Sequence, residues 1–171
     1  MTCTRTYYAS IDSRHRDRDV WPSSAEYEVK LDPAPGFNGA QLQRSFKNVV
    51  SVELVDASFP NSTEVMQYGY IYLRIREIDG VYETTCKGNR MFAKLFPRNV
   101  VGNFVYTYQT DESIGKKEFL VRGTRFDRLT FEFLTPDGDV INFGTDTGLT
   151  PNPTLQTSLT LKIVVEDAMT I

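Results

Sequence analysis

Few side chains in this 171-residue sequence are equipped for chemistry, and their types restrict it sharply. One histidine, His15, lies inside Asp12-Ser13-Arg14-His15-Arg16-Asp17-Arg18-Asp19, where flanking arginines would crowd a metal cation. It makes a poor base or ligand. With one His and two Cys (Cys3 and Cys86), no four-ligand Cys/His zinc site can be assembled without recruiting carboxylates, and imidazole-rich metal chemistry fails on the same count. There is no Gly-rich phosphate loop, no nucleophile elbow and no Cys/His pairing to propose. Carboxylate-pair chemistry survives, because 22 acids are present and a glycoside hydrolase needs two that face each other, yet no spacing selects a pair. Asp137, Asp139 and Asp146 lack the spacing of a calcium-binding hand, and Asp137 reads as turn chemistry. The expectation is a protein that is not an enzyme and needs no metal or cofactor.

Charge points the same way. Lys plus Arg number 19 and Asp plus Glu 22, a net charge of −3, which works against a general phosphate-binding surface. Arg74 and Arg76 with Tyr70 and Tyr72 make at most a small basic-aromatic stripe, better read as a solvated sheet face, so no specific nucleic-acid partner is expected. Apolar runs are only a few residues long, short of the roughly 20 that a membrane helix requires. The opening residues have no apolar core of a secretory signal, and two cysteines are no disulfide framework, so routine secretion is not expected and a reducing compartment suits the chain. The sequon Asn61-Ser62-Thr63 would therefore stay unused. The unusual feature is the charge run itself. Arg14, Arg16 and Arg18 interleave with Asp12, Asp17 and Asp19, which allows ion pairing within the segment or across to another chain, or a plain solvated loop. Trp21-Pro22 follows directly and suggests an anchor. Asp12, Arg14, Asp17, Arg18 and Trp21 are the candidate ordering or subunit-interface residues.

The elements that would position these residues are strands. Leu159, Leu161, Ile163 and Val165 alternate with Thr160, Lys162, Val164 and Glu166, the period of a half-buried strand. Tyr70–Ile78, Glu26–Leu31 and Val50–Val55 alternate likewise. Leu129–Leu134 and Val140–Phe143 flank Pro136-Asp137-Gly138, where Pro presets a turn and Gly takes the left-handed conformation, so a β-hairpin is expected. Weaker runs at Arg5–Ile11, Arg90–Phe96, Phe104–Tyr108 and Lys117–Val121 bring the total to about ten, the spacing of a sandwich or barrel. The Pro/Gly-rich stretch Asp32–Ala40 breaks the rhythm, with one or two helical turns allowed over Ala40–Phe46. Residues 144–157 form a long loop, functional or simply surface. One domain over 1–171 is expected, with 1–24 as its charged N-terminal segment.

Read in order, several pieces form a pattern: Tyr8-Ala9-Ser10-Ile11-Asp12-Ser13-Arg14, Arg16-Asp17, Trp21-Pro22, Glu26–Leu31, Asn48–Leu54 and Phe59-Pro60-Asn61. This order resembles the opening of single-jelly-roll capsid proteins of large double-stranded DNA viruses. The run Leu129–Phe133 with Pro136-Asp137-Gly138 and Asn142-Phe143-Gly144, then Leu159–Ile163, looks like the close of the same family. The resemblance implies an all-β antiparallel sandwich of jelly-roll topology, with about eight core strands plus one or two extra N-terminal strands. It implies a structural subunit of an icosahedral virion, a penton protein whose homopentamer closes a capsid vertex, or a minor capsid protein. The implied partners are further copies of the chain, neighbouring major and minor capsid proteins, and a vertex spike or fibre. A rival from another class is a lectin-like jelly roll that uses Trp21, Tyr68, Tyr70 or Tyr72 as a sugar platform; a weak glycosidase ranks third.

Overall fold

The computed structural model describes residues 2–86, 90–108, 115–121 and 123–168. Among the described residues the fold is all-β apart from one short helix and two single 3-10 turns. Strand β1 (Thr2–Asp12) leads through a 3-10 turn (Ser13–His15) to β2 (Glu26–Leu31), β3 (Gln41–Leu42) and β4 (Val49–Pro60). Helix α1 (Thr63–Tyr68) precedes β5 (Ile71–Ile75), β6 (Tyr82–Glu83), β7 (Arg90–Met91), β8 (Ala93–Leu95), β9 (Asn99–Val101), β10 (Phe104–Tyr108) and β11 (Lys116–Glu118). The close is β12 (Arg128–Leu134), a 3-10 turn (Pro153–Leu155) and β13 (Ser158–Ala168).

Two sheets result. One runs β1-β13-β4-β10-β9, with β11 also paired to β4; the other runs β3-β2-β12-β5-β8. All pairings are antiparallel except the two-residue contact of β2 with β3. Period-two alternation is the cause. In β2, Tyr27, Val29 and Leu31 are buried while Glu26, Glu28 and Lys30 stay half-exposed. The buried sides of the two sheets face each other, with Phe59 of β4 against Phe133 of β12 at 6.1 Å between ring centroids and Phe143 stacked on Phe59 at 6.3 Å. Leu54, Phe59, Ile71, Leu73, Ile75, Phe131 and Leu161 are fully buried in this one core.

Several expectations need correcting. The N-terminal strand expected over Arg5–Ile11 runs further, as β1, an edge member of the larger sheet paired to β13 along all eleven residues. Short strands not expected from the sequence, among them β3, β6 and β9, lie in the excursions. No helical turn forms over Ala40–Phe46. The backbone there extends, because Lys30 N–H donates to Ala40 O (3.0 Å), Asp32 N–H donates to Leu42 O (2.8 Å), and Phe46 bridges Phe126. Helix α1 was not foreseen; Ser62 Oγ caps it by accepting from Val65 N–H, and Gly69 ends it at φ +68°. The turn at Pro136-Asp137-Gly138 is present, with Gly138 N–H donating to Thr135 O at 3.0 Å. Its returning arm is barely a strand. After the Leu134–Val140 bridge and the Ile141 N–H to Phe133 O bond (3.0 Å), the chain leaves the sheet so that Ile141 and Phe143 can fill the core.

Candidate functional site

The charge run splits by burial. Arg14 is exposed and pairs with Asp12 (3.1 Å), whose Oδ1 also accepts Arg14 N–H at 2.9 Å to cap the 3-10 turn after β1. Asp17 Oδ1 accepts Asp19 N–H at 3.1 Å, and its carbonyl accepts Trp21 N–H at 2.7 Å, so this acid serves a local turn. Between them Arg16 points inward, its side chain 0% exposed.

Each of Arg16's five N–H groups has an acceptor. Nε donates to Trp21 O (2.8 Å), Nη1 to Ser13 O (2.8 Å) and Gln156 Oε1 (2.7 Å), and Nη2 to Pro22 O (3.0 Å) and Asp146 Oδ2 (3.0 Å). Asp146, 2% exposed, also accepts Gln156 Nε2 (3.0 Å), Asn152 N–H (2.9 Å) and Arg18 Nη1 (3.4 Å). Gln156 has all four of its positions used: Oε1 accepts Ser13 Oγ (2.9 Å) as well as Arg16, and Nε2 donates also to Asn152 O (2.6 Å). Thr157 N–H donates to Ser13 Oγ (2.8 Å), Thr157 Oγ1 to Ser24 O (3.0 Å), and Ser24 Oγ to Leu155 O. Arg18 reaches across to the carbonyls of Gly148 (2.8 Å) and Leu149 (2.9 Å). Burial opposes the Asp146 charge, but the Asn152 amide, Gln156 and Arg16 outweigh it and hold its carboxyl below the usual carboxylate value.

This buried cluster ties residues 13–24 to the 144–157 loop and holds both at one end of the sandwich. Each of its buried polar side chains meets a partner, and the buried Arg16 is neutralised by Asp146. Its product is rigidity. Among the candidate residues, Arg18 belongs to this lock, and Trp21 joins it through its carbonyl while its half-buried ring packs on the core. Asp12, Arg14 and Asp17 lie outside it, and nothing brings all five into a single patch. The residue that reasoning from the sequence missed is Arg16. Its partners Ser13, Asp146 and Gln156 include two that are 130 and 140 positions away, so no local pattern distinguishes it from Arg14 or Arg18.

A second ionic array covers the outer face of the smaller sheet. Glu132 of β12, 2% exposed, is gripped by Arg74 of β5 and by Arg76 (Nη2, 2.6 Å), which also reaches Glu26 of β2. Burial opposes the Glu132 charge, and hydrogen bonds from Arg74 and Arg76 overcome it, so its carboxyl too lies below the usual range. Glu77 accepts Thr130 N–H (2.6 Å) and Thr130 Oγ1 (2.7 Å), and Arg128 pairs with Glu28 (3.3 Å). The basic stripe is thus matched by acids from adjacent strands. Beside it Tyr72 is buried with Met91 and Leu134, Tyr70 meets Tyr72 edge-on at 5.5 Å, and Lys94 Nζ sits 4.0 Å above the Tyr70 ring. That ammonium occupies a ring face that a sugar would stack on. Among the described residues no group of three or more His, Cys, Asp or Glu is placed to hold a metal ion, and no helix is long and apolar enough to cross a membrane. His15 is exposed at the wall of a hollow of about 240 Å³ shared with Asp12, Gln41 and Leu42.

A model of a family of unknown function, DUF5901, matches residues 2–66. That stretch runs from β1 into α1 and carries the charge run and Trp21. No curated protein matches the chain.

Proposed function

We propose that this protein is a structural capsid subunit of a large double-stranded DNA virus, a jelly roll that closes into a homopentamer at the icosahedral vertex of the virion. The observation that carries the reading is the strand order. Taking β1, β2, β4, β5, β8, β10, β12 and β13 in sequence and setting aside the flanking β3, β9 and β11, one sheet orders them first-eighth-third-sixth and the other second-seventh-fourth-fifth. This interleaving is what two nested Greek keys produce when an eight-stranded ribbon rolls into two sheets. The resemblance of Tyr8–Arg14, Trp21-Pro22 and Asn48–Asn61 to such capsid proteins gives that topology its functional direction.

The buried lock fits a load-bearing role. A loop end tied by a satisfied ion pair presents fixed contact surfaces to neighbours, which lowers the ordering cost of assembly. The proposed partners are further copies of the chain, the major and minor capsid proteins around the vertex, and a spike or fibre on the outer loops. Native mass spectrometry of the purified chain tests the proposal. A pentamer would weigh near 97.5 kDa, five times the 19.5 kDa of one chain. A species confined to 19.5 kDa at every concentration, or a dimer, would count against the vertex role and favour a minor capsid protein.

A further inference from the structure

Among the described residues the larger sheet ends in β1 at one flank and, at the other, in β9 beside β10, with β11 beside β4 further along. An edge strand presents unpaired backbone N–H and C=O groups, and proteins that stay apart blunt such edges with proline, lysine, bulges or short length. Strand β1 has none of these. It is eleven residues long without Pro or Lys, its register against β13 runs unbroken from Thr2 to Asp12, and its one cation, Arg5, is paired with Asp167 at 2.7 Å. By contrast β13 shifts register twice against β4. Arg44 and Phe46 close over Tyr7 on the inward side of β1, while Thr4, Thr6 and Tyr8 on its outward side are exposed, Tyr8 by 67%.

The opposite flank is apolar. Val101 is 64% exposed, Val100 48%, Tyr108 44% and Tyr106 40%. Val101 pairs with Phe104, and Asn99 with Tyr106, so Asn99, Val101, Phe104 and Tyr106 share the outer face of the β9–β10 hairpin. Val101, Tyr106 and Tyr108 are thus exposed large apolar side chains on one face, while Val100, opposite Val105, turns to the other; such a patch is of the kind that marks an interaction site.

We propose that the β9–β10 flank of one copy receives the β1 edge of the next, so that the larger sheet continues from subunit to subunit. The occupant is a second copy, because the two halves of such a contact, a long bare strand and an apolar hairpin edge, stand on the same chain at opposite sides. Contacts between two different surfaces of one chain run head to tail and form a ring where the rotation closes. A strand is completed only by another strand, and with a net charge of −3 the copies repel one another weakly. The inference rests on the ring-forming reading above and names its interface.

The test has two arms on the full chain. In the first, Val101→Cys is combined in turn with Thr4→Cys, Thr6→Cys and Tyr8→Cys, all in a Cys3→Ser background, and the assembled protein is oxidised. Steps of two along the outward face of β1 sample the register, and one pairing is expected to give a ladder of covalent multimers on a non-reducing gel. In the second, Val101→Lys is weighed by native mass spectrometry, with circular dichroism confirming the fold. At least a tenfold shift from multimer to single chain is expected. Assembly of the unmodified protein with no cross-link at any pairing, and with Val101→Lys still fully assembled, would overturn the edge contact and leave the ring standing. An unmodified protein that remains a single chain would overturn both.

Discussion

Replacing Asp146 by Asn keeps its shape and removes its charge, which isolates what the buried lock contributes. The wild-type carboxylate receives four N–H donors, two on each oxygen, from Arg16, Gln156, Asn152 and Arg18. An amide can accept only through its single oxygen. Whichever way it turns, its NH₂ faces donors, and the Arg16 guanidinium, wholly out of solvent, loses the carboxylate that neutralises it. Removing one partner of a buried ion pair costs about 3–5 kcal/mol, a large share of the roughly 5–15 kcal/mol that holds a domain folded. At about 2–4 °C per kcal/mol for a chain of this size, D146N should melt about 6–20 °C lower. Urea unfolding gives the free energy, and limited proteolysis should show new cleavage within residues 144–157. R16Q should be costly as well, and the double variant should cost less than the two singles together by about 1–3 kcal/mol, because they break one network. A loss below about 1 kcal/mol for D146N, with additive singles, would refute the view that this cluster organises the loop end.

Acid should act on the same groups. Asp146 and Glu132 both hold their folded carboxyls below the ordinary value, so the stability they add is complete above their unfolded pKa values of about 4 and drains away as pH falls toward the folded ones. The melting temperature should therefore decline from about pH 5 downward, and D146N and E132Q should each flatten that decline; an unchanged slope in both would contradict the assignment. Gly80→Ala should loosen the β6–β7 cover over Tyr72, Met91 and Leu134. A Cβ there would lie 2.6 Å from backbone atoms of Arg90 and Met91, so a loss of about 1–3 kcal/mol is expected on urea unfolding, and a neutral result would contradict the packing.

The strands most legible in the sequence are those with one dry and one wet face. Strands β2 and β13 alternate cleanly because their outward residues are Glu, Lys and Thr. The length of β1 is hidden, since an edge strand with exposure on both sides carries little alternation; its extent comes from the ladder with β13, 146 to 166 residues away in the chain. Arg90–Phe96 reads as one run but divides into β7 and β8, which pair with different strands, β6 and β5. Helix α1 is six residues, too short for a 3.6-residue period to register, and only the Ser62 cap marks it. Of the site, the charge run was visible and its inner order was not. Arg14, Arg16 and Arg18 are equivalent by spacing, and only the fold, by bringing Asp146 and Gln156 beneath the turn after β1, selects Arg16 for burial. The outer array hid likewise: Glu132 reads as a solvated position until Arg74 of the adjacent strand and Arg76 just beyond its end close over it.

The central claim is a ring of five chains built head to tail. Averaged electron-microscope images of the purified protein test it most directly. The account predicts closed rings of five-fold rotational symmetry, with neighbouring sandwiches meeting flank to flank. Two-fold particles, or single sandwiches at concentrations where a capsid subunit must assemble, would contradict it.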